Sequence, residues 1–282
     1  AQKVLVNLFH DGHDGEAFAN VPMTKKDKGI WSTTMPAKNC HHGTYYTYTV
    51  TTAAGTQEAV DPYAKAVGGN GDRGMVVDMD LTNPEGWDDD HYVDNIDSYS
   101  DAVVWEVHVR DFSNKDPQSR YKGKYLAFTE TGHTNPNGTN PKGTASKPPI
   151  GMDHVRDLGI THIQLNPVFD FATVDESANG IANEASTEAA NATSNKEASG
   201  NANETPQFNW GYDPKNFNVP EGSYSTDPYH GEVRINEFKR MVQAIHKHNI
   251  GIVMDVVYNH TYDANSNFNR IVPYYYYRYN FN

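Results

Sequence analysis

The chain has 282 residues, 37% of them hydrophobic, and a formal net charge of −13. This length can bury a sizeable core, while the acidic balance excludes proteins that bind nucleic acid or anionic membranes through clustered Lys and Arg. The single cysteine, Cys40, excludes an intrachain disulfide and a cysteine metal cluster, and no apolar run approaches the roughly 20 residues that span a bilayer.

The first 82 residues predict a small antiparallel β-sandwich. Short alternating segments at residues 4–9, 29–35, 45–50 and 75–79 are separated by Gly, Pro and Asp, which is typical of strands and turns. Residues 83–100 begin with turn formers and an acidic run, and we interpret them as a surface linker between two domains.

From residue 101 onward the pattern changes to alternating strands and helices. Residues 103–109, 160–168 and 251–257 predict strands, the last of them buried, and residues 151–158 predict a short helix. A second helix is indicated by the helical spacing of Ile235, Phe238, Met241, Val242 and Ile245. This order predicts a parallel sheet covered by helices, either doubly wound or a (β/α)₈ barrel, and three strands do not decide between the two.

Polar residues follow the second and third predicted strands, where both architectures place their functional sites. Asp255 stands inside an apolar run, which is costly for a carboxylate unless it is paired. Two interpretations stay open for it: a structural carboxylate held by an Arg, or a residue that contacts substrate. The residues expected at the working edge of the sheet are Asn166, Asp170, Asp255, Asn259 and His260.

Residues 175–206 are rich in Ala, Asn, Ser, Glu and Thr and almost free of large apolar side chains. Such a composition cannot bury a core, so it predicts a mobile surface insertion near the site.

Loop histidines without a helix-fixed spacing do not predict a transition metal. We expect no cofactor, with Ca²⁺ the one alternative left open, because Asp263, Asn265 and Asn267 alternate like calcium ligands but lack the Gly and Glu of an EF-hand.

A longer pattern is more specific. The block Asn-Trp-Gly-Tyr-Asp-Pro at residues 209–214 is followed by Asp-Val-Val-Tyr-Asn-His-Thr at residues 255–261, and residues 107–112, 124–130 and 164–171 agree with the same assignment. Together they resemble the type I pullulanases, the α-1,6-debranching members of glycoside hydrolase family 13, the α-amylase superfamily. The resemblance implies an Ig-like, starch- or glycogen-associated β-sandwich followed by the first three β/α units of a (β/α)₈ barrel.

By this resemblance, Tyr212 would stack on the glucose next to the scissile bond, while Asp213 and His260 would bind its hydroxyls. Asp255 would orient a downstream arginine. Asn259 and Trp210 would support the geometry of the site. Phe208 stands where the family commonly has a Tyr.

The catalytic pair is expected outside this chain. A retaining glycosidase needs a nucleophilic carboxylate and a carboxylic acid roughly 5–5.5 Å apart. In the family these residues follow the fourth and fifth strands, so we interpret the chain as an inactive fragment that lacks the C-terminal half of the barrel. The sandwich is interpreted as N-terminally incomplete.

The predicted function is cleavage of α-1,6-glucosidic bonds in pullulan, starch limit dextrins, amylopectin or glycogen, by a secreted or cell-surface bacterial enzyme. A cytoplasmic location is left open. The alternatives are a noncatalytic α-glucan-binding protein and another family 13 enzyme, namely an isoamylase, a branching enzyme or an α-amylase.

Overall fold

The structure is a computed structural model, and it describes residues 1–139, 146–176 and 207–279. An antiparallel sheet forms in the N-terminal part, where Val4, Val6 and Leu8 alternate along one buried face. Its strands are β1 (Lys3–Phe9), β2 (Ala19–Pro22), β5 (Tyr45–Thr52), β6 (Gly55–Ala59) and β7 (Gly74–Met75), while β3 (Thr24–Lys25) and β4 (Trp31–Ser32) form a separate two-stranded ribbon. The strand order in the sheet is β2-β1-β5-β6, and β7 also pairs with β5.

The predicted strands at residues 29–35 and 75–79 are too long. Of the first range only Trp31 and Ser32 pair in a strand, and of the second only Met75 does, together with the preceding Gly74. Three strands of this part were missed. β2 ends in a proline, β3 has only two residues, and β6 is exposed at every residue except Ala59, so none of them carries an alternating row of buried apolar residues.

The second part contains a parallel sheet of β8 (Val104–Val107), β9 (His162–Leu165) and β12 (Gly251–Met254), with Val104, His162 and Gly251 in register. The strands lie side by side in chain order, as in a barrel, without the reversal of a doubly wound sheet. The antiparallel strands β10 (Phe169–Phe171) and β11 (Pro214–Pro220) lie outside it. The helices are α1 (Val109–Ser113), α2 (Met152–Leu158), α3 (Gly231–His246) and α4 (Asn267–Ile271), with 3-10 turns at Asp27–Gly29, Gly69–Gly71, Asp80–Thr82, Trp87–Asp89, Tyr99–Asp101 and Tyr125–Thr129.

The largest core cluster joins this sheet to α3. Ile163 and Leu165 of β9 are fully buried, as are Met241 and Ile245 on the predicted helical stripe of α3. The prediction that the third strand is buried is wrong, since Val253 is 39% and Met254 45% exposed. Within the described residues β12 pairs only with β9, so its other edge has no strand partner among them. No helix in the described ranges is long and apolar enough to cross a membrane.

A buried ionic cluster joins the two parts. The side chain of Arg234 on α3 is fully buried and bonds to Asp170 at 3.1 Å and to Glu176 at 2.5 Å. Its guanidinium also donates to the backbone oxygen of Gly68 in the N-terminal part, while the backbone N–H of Asn70 donates to Glu176. The loop at residues 68–72 is thereby fixed to the second part by charged hydrogen bonds in a region of low dielectric.

The predicted linker at residues 83–100 lies along α3. Gln243 donates to the backbone oxygen of Glu85, and His246 Nδ1 lies 2.9 Å from Asp90 Oδ2. Asn95 donates to the backbone oxygens of Thr161 and Asn249, beside the start of two parallel strands. The domain boundaries at residues 82 and 100 stay predictions.

Candidate active-site face

The carboxyl ends of the parallel strands form one edge, as predicted. The backbone N–H of Asn166 donates to Val107 O, and that of Asp255 donates to Leu165 O, so each residue continues the hydrogen-bond ladder beyond its strand. His108 follows β8 directly. The side chains after these strands therefore meet on one face of the sheet.

Tyr212 is held at both ends on this face. Its phenol donates a hydrogen bond of 2.6 Å to Asp255 Oδ2, and its backbone oxygen lies 2.7 Å from His260 Nε2. The residue is nevertheless 40% exposed. Tyr212 is thus oriented by two residues of the β12 region while part of its ring stays accessible, which is what a sugar-stacking residue requires.

The hydrogen bond to Asp255 changes the acidity of the phenol. A carboxylate that accepts a hydrogen bond from the phenol stabilises the neutral form of the phenol. Together with partial burial, this hydrogen bond raises the pKa of Tyr212 to about 12. Tyr212 is therefore a neutral donor at physiological pH. Its role is to bind and orient, since a phenol with so high a pKa is a poor general acid.

Asp213, the neighbour of Tyr212 in the chain, is held by Thr173. Its Oδ2 accepts from the backbone N–H of Thr173 at 2.9 Å and from the Thr173 hydroxyl at 2.6 Å. Asn209 donates to the same hydroxyl oxygen at 2.7 Å. Thr173 thus ties both ends of the 209–213 turn together, and Asp213 has a protein partner in addition to its predicted contact with a sugar hydroxyl.

His260 also has protein partners at both ring nitrogens. Besides the contact to Tyr212 O, its Nδ1 lies 3.2 Å from Asn259 Oδ1. Both residues are exposed. Asn259 thus contacts His260, while its supporting role in the site stays a prediction. In this arrangement His260 orients Tyr212. Its contact with a sugar hydroxyl stays a prediction.

Trp210 and Phe208 form an aromatic group beside Tyr212. The two rings meet edge to face with centroids 5.2 Å apart, and Phe208 stacks on His108 at 5.2 Å. Trp210 is 58% and Phe208 45% exposed. Trp210 therefore lies next to the candidate site, where it packs on the residues that precede Tyr212.

One expectation about an acidic residue needs correction. Within the described residues, Asp255 does not match the interpretation of a buried carboxylate held by an Arg, because it is partly exposed and accepts a hydrogen bond from the Tyr212 phenol. Its role in orienting a downstream arginine stays a prediction. Asp170 matches the interpretation of a buried carboxylate instead: it is fully buried and bonds to Arg234 and Asn216. Asp170 belongs to β10, whose side chains turn into the interior, so it is not part of the exposed face.

Among the described residues, three acidic side chains arranged closely enough to hold a cation lie away from this face. Oxygens of Asp170, Glu176 and Glu221 lie within 4.8 Å of one another, and all three residues are buried. Arg234 already ion-pairs with Asp170 and Glu176, so this arrangement suits a guanidinium better than a metal ion. Burial raises the pKa of all three carboxyls, that of Glu176 to about 7.

The residues considered as Ca²⁺ ligands make separate hydrogen bonds to the protein. Asp263 accepts from the backbone N–H of Asn265, which forms a local turn. Asn267 is buried, accepts from the backbone N–H of Val60 and donates to Asn216. In the described structure these side chains do not converge on one point, and calcium binding elsewhere stays an untested alternative.

Two parts of the chain match known protein families. Residues 131–279, more than half of the chain, match the model of the α-amylase catalytic domain. The chain belongs to the α-amylase catalytic-domain family. Residues 1–64 match carbohydrate-binding module 48, the isoamylase N-terminal domain, which agrees with the antiparallel sheet of this region.

Several pullulanases resemble this chain along nearly its full length. The pullulanase of Bacillus subtilis (strain 168) is 34% identical over 99% of this chain and 33% of its own length. The chloroplastic pullulanase 1 of Arabidopsis thaliana is 35% identical over 99% of this chain and 29% of its own length. The chain therefore spans about a third of the length of the curated relatives it matches.

Solved structures agree. The crystal structure of the Paenibacillus barengoltzii pullulanase with maltohexaose and α-cyclodextrin superposes with a TM-score of 0.82 at 42% identity, over 99% of this chain and 38% of that one. The Anoxybacillus sp. LM18-11 pullulanase with maltotetraose superposes with a TM-score of 0.79 at 36% identity, over 99% of this chain and 35% of that one. The predicted resemblance to type I pullulanases is confirmed, and so is the fold class of a β-sandwich followed by part of a (β/α)₈ barrel.

Sequence reasoning missed two residues of the face, His108 and Thr173. His108 follows a predicted strand, which is the signal that could have found it. Thr173 has no such signal, because its partners Asn209 and Asp213 lie 36 and 40 residues away in the chain. Of the predicted insertion at residues 175–206, residues 177–206 lie outside the described residues.

Proposed function

We propose that this chain is the N-terminal and central part of a debranching glycoside hydrolase that cleaves α-1,6-glucosidic bonds in α-glucans such as pullulan. The observation that carries the proposal is the placement of Tyr212, accessible on the carboxyl edge of the sheet and fixed by Asp255 and His260. An aromatic ring held in this way offers a preformed surface for one face of a glucose ring.

The chemistry we propose is a retaining displacement by two carboxylates. In this proposal the nucleophile and the acid/base belong to parts of the polypeptide outside this chain, and the described face binds and orients the sugar beside the cleaved bond. Tyr212 contributes stacking. Asp255 and His260 contribute by keeping the ring in one orientation, so that little ordering remains when the sugar binds.

The substrate class is supported by two features. The exposed aromatic residues Phe208, Trp210 and Tyr212 follow one another along the same loop, which suits a chain of sugar rings. The relatives that match the chain along 99% of its length are pullulanases, and solved members of that group hold maltohexaose, α-cyclodextrin or maltotetraose.

The test separates an enzyme from a glucan-binding protein. The polypeptide that contains this chain together with the rest of its barrel should release maltotriose from pullulan, measured by chromatography of the products. The 282-residue chain alone should bind maltotriose in a titration, but it should release no maltotriose from pullulan. A complete polypeptide that binds maltotriose and leaves pullulan intact would overturn the hydrolase proposal in favour of a noncatalytic glucan-binding protein.

A further inference from the structure

His108 is a buried histidine beneath the candidate site. It follows β8 directly and is 7% exposed. Its Nε2 lies 2.7 Å from the backbone oxygen of Asn209 and 3.3 Å from the hydroxyl of Tyr224. The Asn209 contact spans 101 residues of sequence and reaches the loop that carries Tyr212.

The surroundings of the ring specify its proton position. A carbonyl oxygen can only accept, so Nε2 must carry the proton that is donated to Asn209. Nδ1 is buried and has no hydrogen-bond partner among the described residues, so a second proton there would be unsatisfied. The arrangement fits a ring whose single proton is on Nε2.

Aromatic contacts fix the plane of the ring. Phe208 stacks on it with an interplanar angle of 25°, while Trp210 and Tyr224 meet it edge-on at 6.3 and 5.9 Å. Phe208 and Trp210 flank Asn209 in the chain. His108 therefore holds the segment at residues 208–210 by one directional hydrogen bond and by ring packing on both sides of it.

A tight turn transmits this restraint to Tyr212. The backbone N–H of Gly211 donates to Asn209 Oδ1 at 2.7 Å. Gly211 has a φ of +85°, and a Cβ there would lie 2.8 Å from the backbone oxygen of Pro167. The turn can neither take a larger residue nor shift toward Pro167, so the position of Asn209 determines where Tyr212 begins.

We propose that His108 is a positioning residue for Tyr212, acting through its hydrogen bond to Asn209 and its stacking on Phe208. This role rests on the proposed function of Tyr212 in sugar binding. Without the His108 side chain, the segment at residues 208–213 would move away from β12, and Tyr212 would lose its contacts with Asp255 and His260.

Two variants of the 282-residue chain separate the hydrogen bond to Asn209 from the stacking on Phe208. His108→Phe keeps a stacking ring without a donor, and His108→Gln keeps an N–H near the position of Nε2 without the ring. The first readout is the titration of the Tyr212 phenol by NMR of ¹³C-labelled tyrosine, assigned with Tyr212→Phe and calibrated with Asp255→Asn. The second readout is maltotriose affinity, and circular dichroism with thermal unfolding reports the fold.

In His108→Phe the Tyr212 phenol should titrate below its wild-type value, and the Kd for maltotriose should rise about tenfold, the effect of losing one buried hydrogen bond. His108→Gln should retain the wild-type Tyr212 titration. A residue that only stabilises the fold would lower the unfolding temperature in both variants without moving that titration. A folded His108→Phe chain with an unchanged Tyr212 titration and an unchanged Kd overturns the proposal.

One measurement needs no variant. Long-range ¹H–¹⁵N spectra of the wild-type chain should show His108 with Nε2 protonated and Nδ1 unprotonated, and the opposite tautomer overturns the proposal even if both variants fail to fold. If the wild-type chain does not bind maltotriose, the proposed function fails, while the Tyr212 titration in His108→Phe still decides the positioning role.

Discussion

Arg234 and Glu176 form a fully buried ion pair with two hydrogen bonds, of 3.0 Å from Nη1 to Oε1 and 2.5 Å from Nη2 to Oε2. The same guanidinium bonds to Asp170 and to the backbone oxygen of Gly68, so one side chain links α3, β10 and the loop at residues 68–72. Removal of such a cation leaves the buried carboxylates without their counterion, which costs far more than the loss of an exposed ion pair.

Arg234→Met should therefore destabilise the chain by about 3–5 kcal/mol, because Asp170 and Glu176 lose their counterion in the interior. Chemical denaturation followed by tryptophan fluorescence measures the change. The matched control is Arg156→Met: Arg156 is 51% exposed and pairs with Asp153 on the surface, so its loss should cost about 0–1 kcal/mol. Equal losses in the two variants would contradict this account.

The stability of the cluster should depend on pH. Burial raises the pKa of Glu176 from 4.5 to about 7, against the opposing effect of Arg234. The folded chain thus holds this proton more tightly than the unfolded chain does. The stabilising contribution is fully present below pH 4.5 and is lost as the pH rises to about 7.

Unfolding free energies measured between pH 4.5 and 7 should therefore contain a component that decreases with pH, and Glu176→Gln should remove it. The comparison is between the slopes of the two proteins, so a general loss of stability in the variant does not affect it. Identical slopes in the two proteins would show that Glu176 does not titrate in this range.

The loop that docks on the cluster should be sensitive to a single methyl group. Gly71 has a φ of +66°, and a Cβ there would lie 2.3 Å from Asp170 Oδ2, whereas Gly15 has a φ of +80° with nothing within 4 Å. Both Gly→Ala variants carry the cost of a left-handed backbone, about 1–2 kcal/mol. Gly71→Ala should lower the unfolding temperature further than Gly15→Ala, because it also displaces a buried carboxylate.

The candidate site should respond to loss of its aromatic ring. In the complete polypeptide, Tyr212→Ala and His260→Ala should each lower kcat/KM on pullulan, by about tenfold or more, since the first removes stacking and the second removes the residue that orients it. His10→Ala is the control, because His10 stacks on Phe18 in the connection between β1 and β2 of the N-terminal part. Wild-type kcat/KM in folded Tyr212→Ala and His260→Ala enzymes would show that the site is placed incorrectly.

Several features of the fold could be predicted from local pattern alone. The alternation of Val4, Val6 and Leu8 specifies a strand with one buried face, and the spacing of Ile235, Met241 and Ile245 specifies the buried stripe of α3. The extent of β4 and β7 could not be predicted, because two-residue pairings depend on which partner strand lies alongside.

The sequence by itself also predicted that Tyr212, Asp255, Asn259 and His260 belong to one functional site, since each of the two motifs that carry them is a continuous and specific run of residues. Only the tertiary structure decided what each of these residues contacts. Asp170 and Asp255 are both acidic residues next to apolar runs, yet one is buried against Arg234, 64 positions away, and the other accepts a hydrogen bond from the exposed Tyr212, 43 positions away. The free energy of a carboxylate depends on the burial and the partners that packing provides, and neither can be read from its neighbours in the chain.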